Sequence, residues 1–193
     1  MISVRLVKAF VAAAVDETGV HNIPSVLEKT GLMPEDLEQV DGASAADVYA
    51  RFQQALRLFY GRGARGMLLR IGRSTWSRLM AQASLKERAE LEIARRLPVP
   101  ARRRRMLELV AARLQEGEGS ASVHTLDIDL LLVDRSGAAA VGQKENEPIC
   151  HVTLGLVQEA LFWATGQDAD VDEIKCKAAE APACEFKIKF GGH

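Results

Sequence analysis

Only three cysteines, two tryptophans and two tyrosines occur in the 193 residues, and neither sign of charge dominates: 25 Lys and Arg stand against 26 Asp and Glu, a formal net charge of −1. That balance denies the chain any global pull toward nucleic acid or an anionic membrane, so its basic clusters must be judged one at a time. No stretch reaches the roughly 18 uncharged apolar residues that a membrane span needs. The apolar opening MISVRLVKAFVAAAVDETG is broken by Arg5 and Lys8 and lacks a small-residue cleavage site, so it reads as a helix and not a secretory signal. A G-x-S-x-G elbow, an H-E-x-x-H pair and a Walker loop are all missing, and the carboxylates are scattered. Catalysis therefore has no motif to rest on. The expected compartment is a reducing cytoplasm, where clustered cysteines more often hold metal or do chemistry than form disulfides.

The patterning that is present predicts helices first. Val4, Val7, Phe10, Val11 and Val15 recur at near-helical spacing, with Gly19 as the stop. Pro24 and Pro34 start two short helical turns. Ser44 precedes a helix whose stripe is Val48, Phe52, Ala55, Leu56 and Phe59. Further helices are expected from Ala64, over KERAELEIARRL, and over ARRRRMLELVAARLQEG to Gly117. The character then changes. Residues 122–133 (SVHTLDIDLLLV) alternate as one strand, DRSG reads as a turn and AAAVG as a return strand. ICHVTLGLVQEALFWAT is an almost wholly apolar helix ended by Gly166, and a two-stranded hairpin around AEAPA closes the chain. This is an α+β layout, an antiparallel sheet packed against helices with a helical N-terminal half. Residues 1–118 form the helical region of one compact unit and 119–193 a second module.

Several signals have plain structural readings. GRGARG, Gly61 to Gly66, matches a dinucleotide fingerprint literally, but a helix and not a strand precedes it, so the glycines join two helices. Arg102 to Arg105 form the densest charge in the chain. They span more than half a helix circumference and sit at the wrong end of the helix dipole for cations. The run is unexplained at this level. His124 falls on the apolar face of the first strand as a buried histidine, and His193 follows two glycines at the end.

The cysteines carry more chemistry. Cys176 and Cys184 are symmetric about Glu180, so in a simple hairpin they face each other, a spacing that suits a disulfide or two ligands of one metal. Cys150 begins the apolar helix, whose dipole favours a thiolate. Glu173 lies three residues before Cys176, and a bulge or strand start is needed to bring both to one side. Soft thiolates with one carboxylate suit tetrahedral zinc, and Lys175, Lys177, Lys187 and Lys189 surround the site as counter-charges. His151 is an alternative fourth ligand, but it points about 100° away from Cys150 around the helix.

The pattern Cys150-x22-Glu173-x2-Cys176-x7-Cys184-x-Phe186, with Gly155 and Gly166 in and after the helix, resembles the 4-vinyl-reductase (hydrocarbon-binding) domain family. The spacing is most similar to the sensor domain of phenol-responsive transcription activators and, more distantly, to TRAPP-type transport components. The resemblance implies a structural zinc on Cys150, Glu173, Cys176 and Cys184, a cavity for a hydrophobic or aromatic molecule, and a homodimer. It covers residues 120–190, and the histidine and tryptophan that contact phenol in those activators find no counterpart here. The function expected is a non-catalytic ligand-binding or sensor domain that binds no nucleic acid. The alternatives are a dimeric scaffold without ligand and an accessory protein or reductase of tetrapyrrole synthesis. Tyr49, Phe52, Phe59 and Trp76 are the aromatics available either to a cavity or to plain core packing.

Overall fold

The structure, a computed structural model, describes residues 1–115 and 120–190. The helix end expected at Gly117 and the terminal His193 lie outside the described residues. Seven helices precede the sheet: α1 (Val4–Thr18), α2 (Ile23–Leu27), α3 (Pro34–Glu38), α4 (Ala45–Tyr60), α5 (Ala64–Ala81), α6 (Leu85–Arg95) and α7 (Val99–Leu114). Strands β1 (Ala121–Leu126) and β2 (Asp129–Asp134), helix α8 (His151–Thr165), and strands β3 (Asp170–Lys175) and β4 (Cys184–Lys189) follow. The α+β layout with a helical N-terminal half is as expected. None of the described helices is long and apolar enough to cross a membrane.

Helix α8 explains its own composition. Val152, Leu154, Leu156, Val157, Ala160 and Leu161 are all buried, because α5, α7 and the sheet cover it on several sides. Its tightest contact is with α5. A Cβ at Gly72 would stand 2.1 Å from the Val152 carbonyl oxygen, and one at Gly155 would stand 2.1 Å from that of Leu69. The two helices therefore pack backbone against backbone, which only glycine allows at those positions. Of the apolar stripe expected on α1, Val7 and Phe10 are buried and Val4, Val11 and Val15 are half-buried against the core, and the helix also buries Leu6, Ala13 and Ala14. Phe10 meets Tyr49 and Phe52 edge-on, at ring separations of 4.9 and 5.6 Å, and Trp76 is buried against Trp163 at 6.5 Å. Phe10, Tyr49, Phe52 and Trp76 are thus packed in the core.

The four strands form one antiparallel sheet in the order β1-β2-β4-β3. Its inner face is the alternating set Leu130, Leu132, Phe186, Ile188 and Val171, with Leu132 opposite Phe186 and Leu130 opposite Ile188. Three expectations are corrected here. The run 122–133 is two strands, because Asp127 adopts a left-handed φ of 58° and folds the chain back at Asp127–Ile128. AAAVG is no return strand: Ala138–Ala140 form a 3-10 turn, and the neighbour that β2 needs is supplied by β4. His124 lies outside the core, exposed and 2.9 Å from the Ser122 hydroxyl. GRGARG joins α4 to α5 through a 3-10 turn that begins at Gly61, with φ of 52°.

Candidate metal centre

Three elements that are distant in sequence deliver one cluster. Cys150 is the residue just before α8, Glu173 lies in β3, Cys176 follows that strand and Cys184 opens β4. β3 slips register between Glu173 and Lys175, the irregularity needed to turn Glu173 and Cys176 to the same side. Cys176 and Cys184 are not a cross-strand pair. A 3-10 turn (Lys177–Ala179) and the left-handed Glu180 intervene, and Cys184 sits in register with Asp134 of β2. The thiols converge all the same.

Cys150 Sγ is 3.5 Å from Cys184 Sγ and 3.8 Å from Cys176 Sγ, and the four candidate ligand atoms all lie within 4.8 Å of one another. All three cysteines are free and buried. Thiolates about 2.3 Å from a tetrahedral metal would be about 3.8 Å apart. Glu173 is fixed by a hydrogen bond that Cys150 N donates to its Oε2 at 2.8 Å, while its buried Oε1 has no partner among the described residues. Burial, with the nearby Cys176 adding to it, pushes the Glu173 carboxyl up to about 8. Contact with Cys176 and Cys184, together with burial, drives the Cys150 thiol well up, and hydrogen bonds from Cys150 and Cys184 draw Cys176 well down.

His151 stands outside this set. Burial and the guanidinium groups of Arg65 and Arg57 lower its imidazole to about 4, and its Nδ1 has no partner among the described residues. The lysines expected as counter-charges also turn elsewhere, because strand alternation aims them away. Lys175 pairs with Glu185, Lys187 with Asp129 and Lys189 with Asp172, while Lys177 Nζ donates to the carbonyls of Arg135 and Ser136. The Lys177 backbone N–H does face the site, 3.5 Å from Cys184 Sγ.

Space for a ligand is found elsewhere. Beside Cys150 is a cavity of about 10 Å³, lined by Tyr49, Asp134, Ser136 and Thr153, hardly room for one water. A cleft of about 520 Å³ at the C-terminal end of α8 is lined by Arg95, Arg102, Phe162 and Trp163. A groove of about 550 Å³ runs between the start of α7 and the β1–β2 turn. Sequence reasoning missed this groove because its lining residues are scattered from 100 to 190. Ile128 gave no signal, because the alternation of 122–133 places it within a strand and only the structure puts it in a turn.

The comparisons place the fold. No known family profile and no curated relative matches the chain. Solved structures do. One is an H-NOX protein from S. oneidensis in an Fe(II)NO ligation state, with 11% identity, TM-score 0.59, and 99% of this chain and 100% of the other covered. Another, described by modulation of heme redox potential through porphyrin distortion, shows 14% identity, TM-score 0.52 and coverage of 97% and 94%. An oxygen-binding H-NOX domain related to soluble guanylate cyclases shows 12% identity, TM-score 0.50 and coverage of 93% and 89%. At these identities the likeness is one of fold. The resemblance to the 4-vinyl-reductase family is therefore corrected: the chain has the fold of H-NOX proteins. The zinc that the resemblance implied is corrected with it, since these neighbours are described by iron and heme.

Proposed function

We propose that this chain is a non-catalytic sensor-type domain on an H-NOX fold, in which Cys150, Glu173, Cys176 and Cys184 hold a metal ion. The observation that carries the metal reading is the convergence of three buried thiols and a half-orphaned carboxylate within 4.8 Å. A soft donor set of this kind suits a thiophilic ion, and four protein ligands leave no open position for substrate, so the ion is structural. It would tie the start of α8 to β3 and β4. The sensor reading is supported by fold likeness along nearly the whole chain to proteins described with bound nitric oxide and oxygen.

The two clefts described above do not fit haem. A porphyrin needs a slot of several hundred cubic ångströms with an axial His, Cys, Met or Tyr facing it. Among the described residues, neither the cleft of about 520 Å³ nor the groove of about 550 Å³ is lined by one of these residue types. His21 and His124 are exposed.

Elemental analysis of protein purified under reducing, chelator-free conditions tests the metal reading. One ion per chain is expected, and it should be lost in Cys176→Ser. Protein free of metal in the wild type overturns the reading. Haemin titration should give no saturable Soret shift.

A further inference from the structure

The arginine run and the groove beside it are explained together. We propose that the groove between α7 and the β1–β2 turn binds a small organic anion with an apolar body, a monocarboxylate of medium chain length. The floor and walls are apolar: Pro100, Ala101, Ile128, Leu130 and Phe190. At about 550 Å³ the groove lies within the range of small-molecule sites. Ile128 occupies a two-residue turn, where Gly, Asn, Asp or Ser ordinarily sits, and it is 64% exposed. Turn propensity has been given up there for an apolar surface, the kind of local conflict that marks a working site.

The charge of the groove selects the ligand's head. Arg103 and Arg104 line it against a single carboxylate, Asp127. Both arginines stand at the positive end of α7, which has no acidic residue in its first turn and no side-chain cap. Among the described residues Arg104 shares Glu108 with Arg105, whereas Arg103 has only the neutral Gln167 Oε1 at 3.1 Å and the Phe190 ring at 4.1 Å. Stacking on Phe190 holds the Arg103 guanidinium plane against the apolar floor and leaves most of its five donors unused. A carboxylate placed there meets a preset fork and relieves the excess positive charge, while its alkyl or aryl body covers Ile128 and Leu130. The site shares no residue with the thiolate cluster. It gives the sensor reading a ligand class, and binding can be measured whether or not the metal is present.

Calorimetric titration of the full chain with octanoate, acetate and 1-octanol is the test. Octanoate should saturate one site per chain, with acetate and octanol each at least about tenfold weaker. Arg103→Gln and Ile128→Ser should each weaken octanoate by about tenfold, the loss of one charge-assisted contact or one buried aliphatic side chain. Arg105→Gln, outside the groove, should leave it unchanged, and circular dichroism should show all three variants folded. Lack of saturation at millimolar octanoate would overturn the proposal. So would equal binding of octanol, or equal losses in Arg105→Gln and Arg103→Gln. Binding to phosphatidylglycerol vesicles without any response to octanoate would assign the groove to a membrane surface instead.

Discussion

The two ends of α8 are built from opposite chemistry, and neither end is complemented from within the helix. Its N-terminus has no acid in the first turn, yet Glu173 arrives from β3 to accept the Cys150 N–H at 2.8 Å, with three sulfurs behind it. Its C-terminus has no base in the last turn, yet α7 sends Arg102 to the Ala164 carbonyl at 3.3 Å and Arg103 to Gln167. An oxygen acceptor at the N-terminal N–H groups and guanidinium groups at the C-terminal end are the partners that the unpaired groups of a helix require. Arginines that look misplaced on their own helix are thus well placed for its neighbour. A charge run is understood from the element it reaches, and only secondarily from the one that bears it.

The N-terminal end should be the more fragile. If a metal ion fills the cluster, Cys176→Ser removes one ligand from a site that does not exist in the unfolded chain, so binding energy is lost as folding energy. We expect a stability loss of about 4 kcal/mol and a melting temperature lower by about 10 °C for a domain of this size. Calorimetry alongside elemental analysis checks both. A full melting temperature in metal-free protein would show that the cluster is an ordinary core.

The middle of α8 tests whether the two ends are coupled by rigid packing. Gly155→Ala places a methyl group 2.1 Å from the Leu69 carbonyl oxygen, so α5 and α8 must separate. The expected cost is about 1–3 kcal/mol in denaturant unfolding, as for other overpacked cores. Gly66→Ala, whose Cβ would meet nothing within 4 Å, is the control and should not destabilise.

How far each end could be read in advance follows from its physics. That the three cysteines and Glu173 would meet was legible because cysteine spacing is rare information, and because strand alternation called for the irregularity that is found between Glu173 and Lys175. The pairing of Cys176 with Cys184 was misread, since symmetry about Glu180 says nothing of the 3-10 turn that intervenes. The arginine end was opaque: no local pattern shows that Arg102 will reach a carbonyl 62 residues away. Alternation failed in a different way at SVHTLDIDLLLV. Its period runs unbroken through Asp127, and only the tolerance of aspartate for a left-handed φ marks the hairpin there. His124 was assigned to the wrong surface for the same reason.

At the C-terminal end, Arg102→Ala should cost about 1–2 kcal/mol, because its hydrogen bonds to the Leu97 and Ala164 carbonyls are lost together. Arg105→Ala removes only a surface pair with Glu108, which Arg104 retains, and should change stability by less than about 0.5 kcal/mol. Urea unfolding of the two variants side by side separates the outcomes. Equal losses would mean that the run acts through its net charge and not through the single arginine that reaches α8.

A modest effect, tunable by pH, comes from a helix whose first turn carries its own acid. At the start of α6, Glu87 pays for partial burial, but Ser84 and Arg5 hold its carboxyl down from 4.5 to about 2. Ser84 N donates to Glu87 Oε2 at 2.7 Å, and Arg5 Nη1 donates to Oε1 at 2.6 Å. A depressed acid contributes stability that is fully present above its unfolded value and is lost as pH falls through the folded one. The window therefore runs from about pH 4.5 down to about 2. Because the pair is half-buried and open to solvent, the contribution is about 1 kcal/mol. Wild type should exceed Glu87→Gln by that amount at pH 6, with the gap closing steadily as the pH is lowered toward 2.5. Arg5→Met should narrow the same gap at pH 6 without altering the capping contact to Ser84. A difference between wild type and Glu87→Gln that stays constant across the range would mean that the side chain acts through packing alone, and that α6 takes nothing from charge at its positive end.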